Sequence, residues 1–314
     1  MDELRDDLAG AAAPLVAEAP CPLLLIDADN LIHRYHHAAQ AGALPTLVSA
    51  LLGLLWQVRP THLAVVFDSP EGKDRRRALH PGYKASRPAR PQELGVLFGE
   101  VRRVLQAAGI PVVESGAGEG DDAIATLAGR VKGGDVLIAS NDKDLAALVG
   151  PGVTLLLQPG WQRVGPAEVL ARHGVRSAQV PELLALQGDA SDEILGCPGV
   201  GPKTALALLQ EFGSVAGVYQ NLWKVKLLQG LRGAAQVAQR LAAGEASVRL
   251  SHQLAQLDRA VPGLPDLAAL RWVPDRRRAR QIQAACEDLG IPTHTQGLVA
   301  LQDGWGAAPH KERQ

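Results

Sequence analysis

The sequence is poor in cysteine and in aromatic residues, and it has no excess of either charge. Three cysteines among 314 residues, Cys21, Cys197 and Cys286, are too far apart for a zinc ribbon or a disulfide framework and fit a reducing compartment. Aromatic residues make up 4% of the chain, which argues against a base-stacking platform of the RRM or OB kind. The balance of 32 Lys+Arg against 33 Asp+Glu argues against a nucleic-acid binder that depends on bulk positive charge.

Long apolar runs are also missing, since no uninterrupted run reaches the roughly 18 residues that a membrane span needs. The first 20 residues are acidic and rich in alanine, whereas a signal peptide begins with positive charge. We therefore expect a cytoplasmic protein with no membrane partner and with a disordered leader over residues 1–20. The share of apolar residues, 46%, is enough to form a core.

Short apolar runs alternate with helical patterns in the first half of the chain. Runs such as Leu23–Ile26 and Leu63–Phe67 predict strands that are buried on both faces. Helical patterns lie between the runs, at about 44–58, 92–108 and 121–131. This alternation predicts an α/β fold, with a parallel sheet and helices on both of its faces.

The strand patterns stop near residue 165, and the remaining patterns are helical. Proline falls in the first turn of three of these predicted helices, where its missing N–H costs least. We therefore predict an α/β core over residues 21–165, a helical region over residues 166–292 and a C-terminal tail over residues 293–314.

Acidic residues are concentrated in five short motifs, three of which directly follow predicted strands. Because the carboxyl ends of parallel strands meet at one edge of a sheet, we expect these side chains to share a crevice. Carboxylates packed this closely need cations, and Mg²⁺ or Mn²⁺ are the natural candidates because hard divalent ions prefer oxygen ligands. Two such ions about 4 Å apart are the usual device for phosphodiester hydrolysis. The nine acids are Asp27, Asp68, Glu119, Asp121, Asp122, Asp142, Asp144, Asp189 and Asp192.

Each acidic motif taken alone has a simpler explanation. An Asp after a strand is most often a turn former or a helix N-cap, and acids in a first helical turn complement the helix dipole. The metal interpretation depends on the five motifs occurring together. Without these nine negative charges the net charge of −1 becomes +8, so we expect a basic surface around an acidic crevice.

Two further segments are candidates for binding phosphate. Residues 73–90 contain seven Lys or Arg against one Asp, and Arg can bind phosphate through two parallel hydrogen bonds. The glycine-rich segment 196–204 lies between two predicted helices, as in a helix-hairpin-helix, which binds nucleic acid backbone without reading sequence. A solvated charged loop and a plain tight turn remain the alternatives for these two segments.

The motifs occur in a definite order along the chain. They are Leu-Ile-Asp27, Val-Val-Phe-Asp68, Tyr83-Lys84-x-x-Arg87-Pro88, Glu119-x-Asp121-Asp122, Asn141-Asp142-Lys143-Asp144 and Gly188-Asp189-x-Ser191-Asp192, followed by the hairpin Pro198-Gly199-Val200-Gly201-Pro202-Lys203-Thr204. This set resembles the bacterial 5′ nuclease family, which includes the N-terminal domain of DNA polymerase I, phage flap endonucleases and stand-alone homologues. The resemblance implies a PIN-like α/β core with a helix-three-turn-helix region. It also implies a structure-specific, metal-dependent 5′ nuclease.

The resemblance further implies roles for individual residues. A helical arch over about residues 70–95 would admit a free 5′ end, and the hairpin would hold K⁺. The first metal site would comprise Asp27, Asp68, Glu119, Asp121 and Asp122, and the second Asp142, Asp144, Asp189 and Asp192. The residues implied at the scissile phosphate are Arg34, Lys84 and Arg87. The residues expected to contact DNA are Arg75, Arg76, Arg77, Tyr83, Arg90, Gly199, Gly201, Lys203 and Thr204.

The expected partner is DNA with a 5′ flap, a 5′ overhang or a nick, with an RNA–DNA hybrid as a further substrate and a monomer as the active species. The expected setting is DNA replication and repair. The sequence departs from the family pattern at Asp192-Glu193, where Asp-Asn is common, and at Ser140-Asn141, where Thr-Gly is common. Arg75 stands where an aromatic residue is usual. These departures concern substrate preference more than metal binding.

Two other functions are compatible with parts of the pattern. Asp27-Ala28-Asp29 and Ser140 imitate motifs of a haloacid-dehalogenase-type phosphatase, but Glu119-x-Asp-Asp has no role in such an enzyme. A non-catalytic protein of the same fold that binds DNA junctions is the second alternative. Cleavage of a labelled flap substrate separates this alternative from the nuclease.

Overall fold

A computed structural model of the chain describes residues 23–39 and 42–291. The predicted leader (1–20) and tail (293–314) lie outside the described residues. Among the described helices, none is long and apolar enough to cross a membrane.

A six-stranded sheet forms the centre of the first half, in the order β3-β2-β1-β4-β5-β6. Strands β1 to β5 pair in parallel, and β6 pairs antiparallel to β5 at the edge. All five residues of β1 are buried, as the continuous apolar run predicts for a central strand. The strands are β1 (Leu23–Asp27), β2 (His62–Phe67), β3 (Val112–Glu114), β4 (Val136–Ala139), β5 (Val153–Leu157) and β6 (Gln162–Val164).

Thirteen α-helices are present in the part of the chain that the structure describes, and those after β6 form the helical region. In the α/β core they are α1 (Ala28–Ala39), α2 (Ala43–Val58), α3 (Asp74–Leu79), α4 (Gln92–Ala107) and α5 (Gly120–Arg130). In the helical region they are α6 (Pro166–His173), α7 (Val180–Gln187), α8 (Pro202–Phe212), α9 (Val215–Gln220), α10 (Leu222–Val225), α11 (Ala234–Ala243), α12 (Glu245–Ala255) and α13 (Arg276–Asp288).

The sheet separates two apolar layers. Alternate residues of β1 face opposite layers, so that Leu24 packs with α1, α2, α4 and α13, whereas Leu25 packs with α5 and the helical region. Helix α13 therefore returns to the α/β half, where it packs against α4. The helical region shares its core with one face of the sheet, which fixes the position of that region relative to the carboxyl ends of the strands.

The α/β fold class is confirmed, and three features of the α/β core differ from the sequence prediction, namely strand β6, helix α1 and the segment predicted as an arch. Strand β6 makes the sheet mixed, because it adds an antiparallel edge. The segment predicted as a helical arch contains the short helix α3, which packs against α12, and the start of α4 at Gln92. Residues 85–91 are exposed and form no regular structure. The expected arch is therefore a short packed helix followed by an exposed loop.

Candidate metal centre at the carboxyl edge of the sheet

The chain brings the predicted acids to one edge of the sheet from both halves of the molecule. Asp27 is the last residue of β1, and Asp68 directly follows β2. Glu119 is the N-cap of α5, so that Asp121 and Asp122 lie in its first turn. The remaining acids follow β4 or, in the case of Asp189 and Asp192, α7. We call Asp27, Asp68, Glu119, Asp121 and Asp122 the first carboxylate group, and Asp142, Asp144, Asp189 and Asp192 the second carboxylate group.

Three acids of the second carboxylate group converge. Oxygens of Asp144, Asp189 and Asp192 all lie within 4.8 Å of one another. Asp144 Oδ1 is buried and has no hydrogen-bond partner among the described residues. Burial and the neighbouring Asp142 raise the pKa of Asp144 to about 7. These three carboxylates offer only oxygen ligands, and one buried oxygen has no hydrogen-bond partner among the described residues. Such a set fits a hard divalent cation.

A lysine neutralises part of the second carboxylate group. Lys143 Nζ lies 2.6 Å from Asp189 Oδ2. Burial acts to raise the pKa of Asp189, but Lys143 and the hydrogen bonds from Ser191 together outweigh it and hold that pKa below its usual value. Asp142 supports the backbone, because its Oδ1 accepts a hydrogen bond of 2.9 Å from the N–H of Asp144.

In the first carboxylate group, Asp27 and Asp68 are oriented by short hydrogen bonds. The hydroxyl of Ser140 donates to Asp27 at 2.7 Å, and the N–H of Gly120 donates to Asp68 at 2.6 Å. Burial nevertheless raises the pKa of Asp27 to about 7 and also raises the pKa of Asp68. Burial raises the pKa of Asp121 as well. These three carboxyl groups gain most from a cation, because their charged forms are disfavoured without one.

Asp122 differs from its predicted role as a metal ligand. Its side chain is completely buried, and both oxygens accept hydrogen bonds from Arg76, at 2.7 and 2.8 Å. The same oxygens also accept from the backbone N–H groups of Glu119 and Asp258. A carboxylate has about four lone-pair directions, so no direction is left for a cation in this arrangement. We therefore correct the sequence prediction for Asp122.

Lys84 lies between the two carboxylate groups. Its ammonium contacts Glu119 of the first group at 2.8 Å and Asp192 of the second at 3.3 Å. Burial alone would lower the pKa of Lys84, but Glu119 and Asp192 outweigh it and hold the pKa above its usual value. Arg87 binds Asp192 as well, at 2.6 Å, and its side chain remains half exposed. The predicted residues Lys84 and Arg87 are thus cations at the centre and the rim of the site.

Two of the predicted DNA contacts are corrected by burial. Arg76 and Tyr83 are each 2% exposed, and both donate hydrogen bonds to Glu119. Their sequence neighbourhood is basic and polar, but their side chains form part of the interior. They cannot reach a ligand in solvent from these positions.

The other predicted basic residues are accessible. Arg75, Arg77 and Arg34 are exposed, the last of them on α1. Arg90 forms an ion pair of 3.0 Å with Asp29 and lies over the ring of Phe98. Their roles toward DNA stay predictions.

The hairpin precedes α8, which begins at Pro202. Gly199 has a φ of +76°, and a Cβ there would lie 2.7 Å from the guanidinium of Arg240. Gly201 is the N-cap of α8 with a φ of −92°, and a Cβ there would meet no atom within 4 Å. Gly199 is therefore required by the local backbone, whereas Gly201 leaves open space beside the helix start. Lys203 is exposed and Thr204 is half-buried in the first turn of α8.

Three further polar residues belong to the site and were not predicted as part of it. Asp29 accepts the backbone N–H of Asp68 at 2.9 Å, Ser140 orients Asp27, and Lys143 contacts Asp189. Asp29 lies two residues after Asp27 and Lys143 lies between two predicted ligands, so proximity in sequence was the available signal. Burial raises the pKa of Asp29 to about 6.

Together, the sheet topology and the carboxylates define the class of α/β proteins that hold a divalent cation at the carboxyl edge of the sheet. The chain belongs to the 5′-3′ exonuclease family. The N-terminal resolvase-like domain of that family matches residues 22–174, and its C-terminal SAM fold matches residues 175–278. Family membership confirms the resemblance seen in the sequence and removes the phosphatase alternative.

Individual relatives agree with this assignment. The chain is 35% identical over 246 residues to flap endonuclease Xni of Serratia proteamaculans, covering 75% of this chain and 97% of that protein. It is 36% identical over 273 residues to DNA polymerase I of Rhizobium leguminosarum, covering 80% of this chain. The chain spans about a quarter of the length of that polymerase, since the match covers 26% of it.

A solved structure has the same fold. The phage T5 D15 protein, co-crystallised with metal ions, superposes with a TM-score of 0.63 at 22% identity. The match covers 85% of this chain and 98% of the phage protein. The similarity confirms the α/β core with a helical region as the fold.

Proposed function

We propose that this chain is a divalent-metal-dependent nuclease that hydrolyses phosphodiester bonds at 5′ flaps and 5′ ends of DNA, with water as the nucleophile. The observation that carries the proposal is the convergence of Asp144, Asp189 and Asp192 within 4.8 Å, beside the carboxylates at the ends of β1 and β2. The names of the relatives, a flap endonuclease and a DNA polymerase I, support the same chemistry.

The proposed metal ligands come from both carboxylate groups. Asp144, Asp189 and Asp192 would hold one cation, with Asp142 beside them. Asp27, Asp68, Glu119 and Asp121 would hold another. Bound Mg²⁺ or Mn²⁺ lowers the pKa of water and stabilises negative charge on phosphate oxygens. The choice between these two metals, and K⁺ at the hairpin, are part of the proposal.

Residues of this chain would position the DNA. Lys84 already faces carboxylates of both groups, so its ammonium is placed to donate hydrogen bonds to a phosphate at the same point. Arg87, at the rim, and the exposed Arg34 would bind neighbouring phosphates. The backbone N–H groups at the start of α8, with Lys203 and Thr204, would bind the duplex backbone further away. Arg75, Arg77 and Arg90 would add contacts from the segment between β2 and α4.

The proposed substrates are a 5′ flap, a 5′ overhang and a nick, with an RNA–DNA hybrid as a further substrate. The protein would act as a monomer in DNA replication and repair. The proposed division places the α/β core at residues 21–165 and the DNA-binding helical region at residues 166–292.

A flap-cleavage assay tests the proposal. A 5′-labelled flap oligonucleotide is incubated with the protein and Mn²⁺, and the wild type is expected to release a short labelled product. Asp142→Ala should abolish this release, whereas the exposed Asp266→Asn should leave it unchanged. Flap binding without any cleavage that depends on Asp142 would favour the non-catalytic junction-binding alternative instead.

A further inference from the structure

Arg76 is an arginine with every N–H engaged inside the protein. Its Nε donates to the carbonyl of Leu254 at 3.0 Å, and Nη2 donates to the carbonyl of Gln256 at 3.2 Å. Its remaining donors bind Glu119 and Asp122, at 2.7 to 2.8 Å. These five hydrogen bonds use all five N–H directions of a guanidinium. The side chain is 2% exposed, so it is an internal connector between α3, the start of α5 and the end of α12.

The hydrogen bonds divide the two oxygens of Glu119 into different roles. Glu119 Oε2 accepts from both Arg76 and the hydroxyl of Tyr83, at 2.7 and 2.8 Å. Glu119 Oε1 contacts Lys84 Nζ, which also lies 3.3 Å from Asp192. Rotation of the Glu119 carboxylate is thereby fixed, with Oε1 directed to the side on which the second carboxylate group lies.

Helix α12 extends the same connection to the hairpin. In the first two turns of α12, the hydroxyl of Ser247 donates to the carbonyl of Gly196 at 2.8 Å, and the hydroxyl of Ser251 accepts the N–H of Gly196 at 2.9 Å. At the other end, the carbonyls of Leu254 and Gln256 accept from Arg76. One helix of 11 residues therefore joins the hairpin to the residue that holds Glu119.

We propose that Arg76 is a positioning residue that sets Glu119 Oε1 toward the bound divalent cation and fixes its place relative to the hairpin. This proposal rests on the proposed nuclease function, because it gives Glu119 the role of a metal ligand. Asp122 then holds the guanidinium of Arg76 in this orientation through its two hydrogen bonds. Orienting partners of metal ligands are worth about 10- to 100-fold in metal affinity.

Direct Mn²⁺ binding to the DNA-free protein, measured by calorimetry together with thermal unfolding, tests the proposal. Arg76→Met should weaken Mn²⁺ binding about 10- to 100-fold and lower the Tm, since it leaves Asp122 buried without its cation. Arg76→Lys keeps the charge but lacks the planar fork, so its Mn²⁺ affinity should also stay below that of the wild type. Arg103→Met, on the exposed surface of α4, is the matched control and should change neither quantity.

A double variant separates positioning from folding. Arg76→Met with Asp122→Asn removes both buried charges, so the Tm should recover while the Mn²⁺ affinity stays low. Recovery of both quantities would mean that Arg76 only balances charge, and wild-type Mn²⁺ affinity in Arg76→Met would equally overturn the proposal. Failure of the wild type to cleave flap DNA would instead reject the nuclease function, and the binding data would still decide what Arg76 does.

Discussion

The two carboxylate groups lie side by side but are neutralised in different ways. In the first group, Glu119 and Asp122 are held by the buried cations Arg76 and Lys84, which belong to the fold itself. In the second group, Asp144 keeps a buried oxygen with no hydrogen-bond partner among the described residues. The pKa of Glu119 is accordingly held below its usual value despite burial, whereas burial raises that of Asp144.

This difference shows that acids adjacent in sequence and space need not have the same function. In the first group, the ion pairs of Glu119 and Asp122 with Arg76 and Lys84 exist before any metal binds, and they orient the carboxylate of Glu119. In the second group, Arg87 and Lys143 form ion pairs with Asp192 and Asp189, whereas Asp144 forms no ion pair among the described residues. We infer that Asp144 depends more on a cation from solvent than Glu119 does.

Substitution of one acid from each group gives the largest expected effects and tests the comparison directly. Asp144→Asn and Glu119→Gln should each lower the cleavage rate about 1000-fold or more, because a bound ion supplies several kcal/mol and each 1.36 kcal/mol is tenfold. Their effects on the metal-free protein should be opposite. Asp144→Asn relieves repulsion and should raise the Tm, whereas Glu119→Gln removes ion pairs and should cost about 1–3 kcal/mol of stability.

Thermal unfolding of both variants at pH 7.5 in a chelating agent provides the measurement. Exposed Glu287→Gln is the control, with neither activity nor Tm expected to change. A lower Tm for Asp144→Asn would show that the protein also stabilises the charged form of Asp144. Asp144 and Glu119 would then not differ in how they are neutralised.

Lys84 contacts both carboxylate groups, and we expect its removal to have the next largest effect on the cleavage rate. Lys84→Ala should lower the single-turnover cleavage rate about 100- to 1000-fold, the usual loss for one donor aimed at developing charge. Binding of flap DNA should change much less, because the exposed arginines remain. Lys132→Ala, an exposed lysine at the end of α5, serves as the control. A wild-type single-turnover rate in Lys84→Ala would remove this residue from the reaction.

The strand and acid patterns made most of the fold and the location of the site predictable. Apolar runs in β1, β2 and β4 end at or near Asp27, Asp68 and Asp142, so local sequence was sufficient to place those acids at one edge. Strand β6 was missed because only one of its three residues is apolar and only that residue is buried. Helix α1 was missed because it begins immediately after β1, with no turn residue between them.

The roles within the site were harder to predict, because they depend on contacts between distant residues. Arg76 lies in a run of three arginines, and nothing in that run distinguishes it from its exposed neighbours. Its burial follows from partners 43 and 46 residues away and from carbonyls of α12. The adjacent acids Asp121 and Asp122 look equivalent in sequence, yet only the fold shows that Asp122 is saturated. Charge pattern therefore predicts where a site lies better than it predicts what each charge does.

The dependence of metal binding on pH measures how much charge the protein leaves unbalanced. Burial raises the pKa of Asp27 and Asp144 to about 7, whereas an unfolded Asp titrates near 4. At a pH between these two values, Asp27 and Asp144 stay protonated in the folded protein but are ionised in the unfolded chain. The stability of the metal-free protein therefore falls as the pH rises toward 7. His33 acts in the opposite direction, because burial lowers its pKa to about 4.

The difference between the Tm values with and without Mn²⁺ does not include the contribution of His33, because that residue titrates in both states. A cation must displace the protons on Asp27 and Asp144, so Mn²⁺ affinity should rise up to tenfold per pH unit for each proton released, and level off above pH 7. The increase in Tm should therefore be greater at pH 7.5 than at pH 5.5. Asp144→Asn should flatten this dependence. An Mn²⁺ effect that is equal at both pH values would mean that these carboxylates are already ionised in the metal-free protein, and that Asp144 does not differ from Glu119 in its protonation.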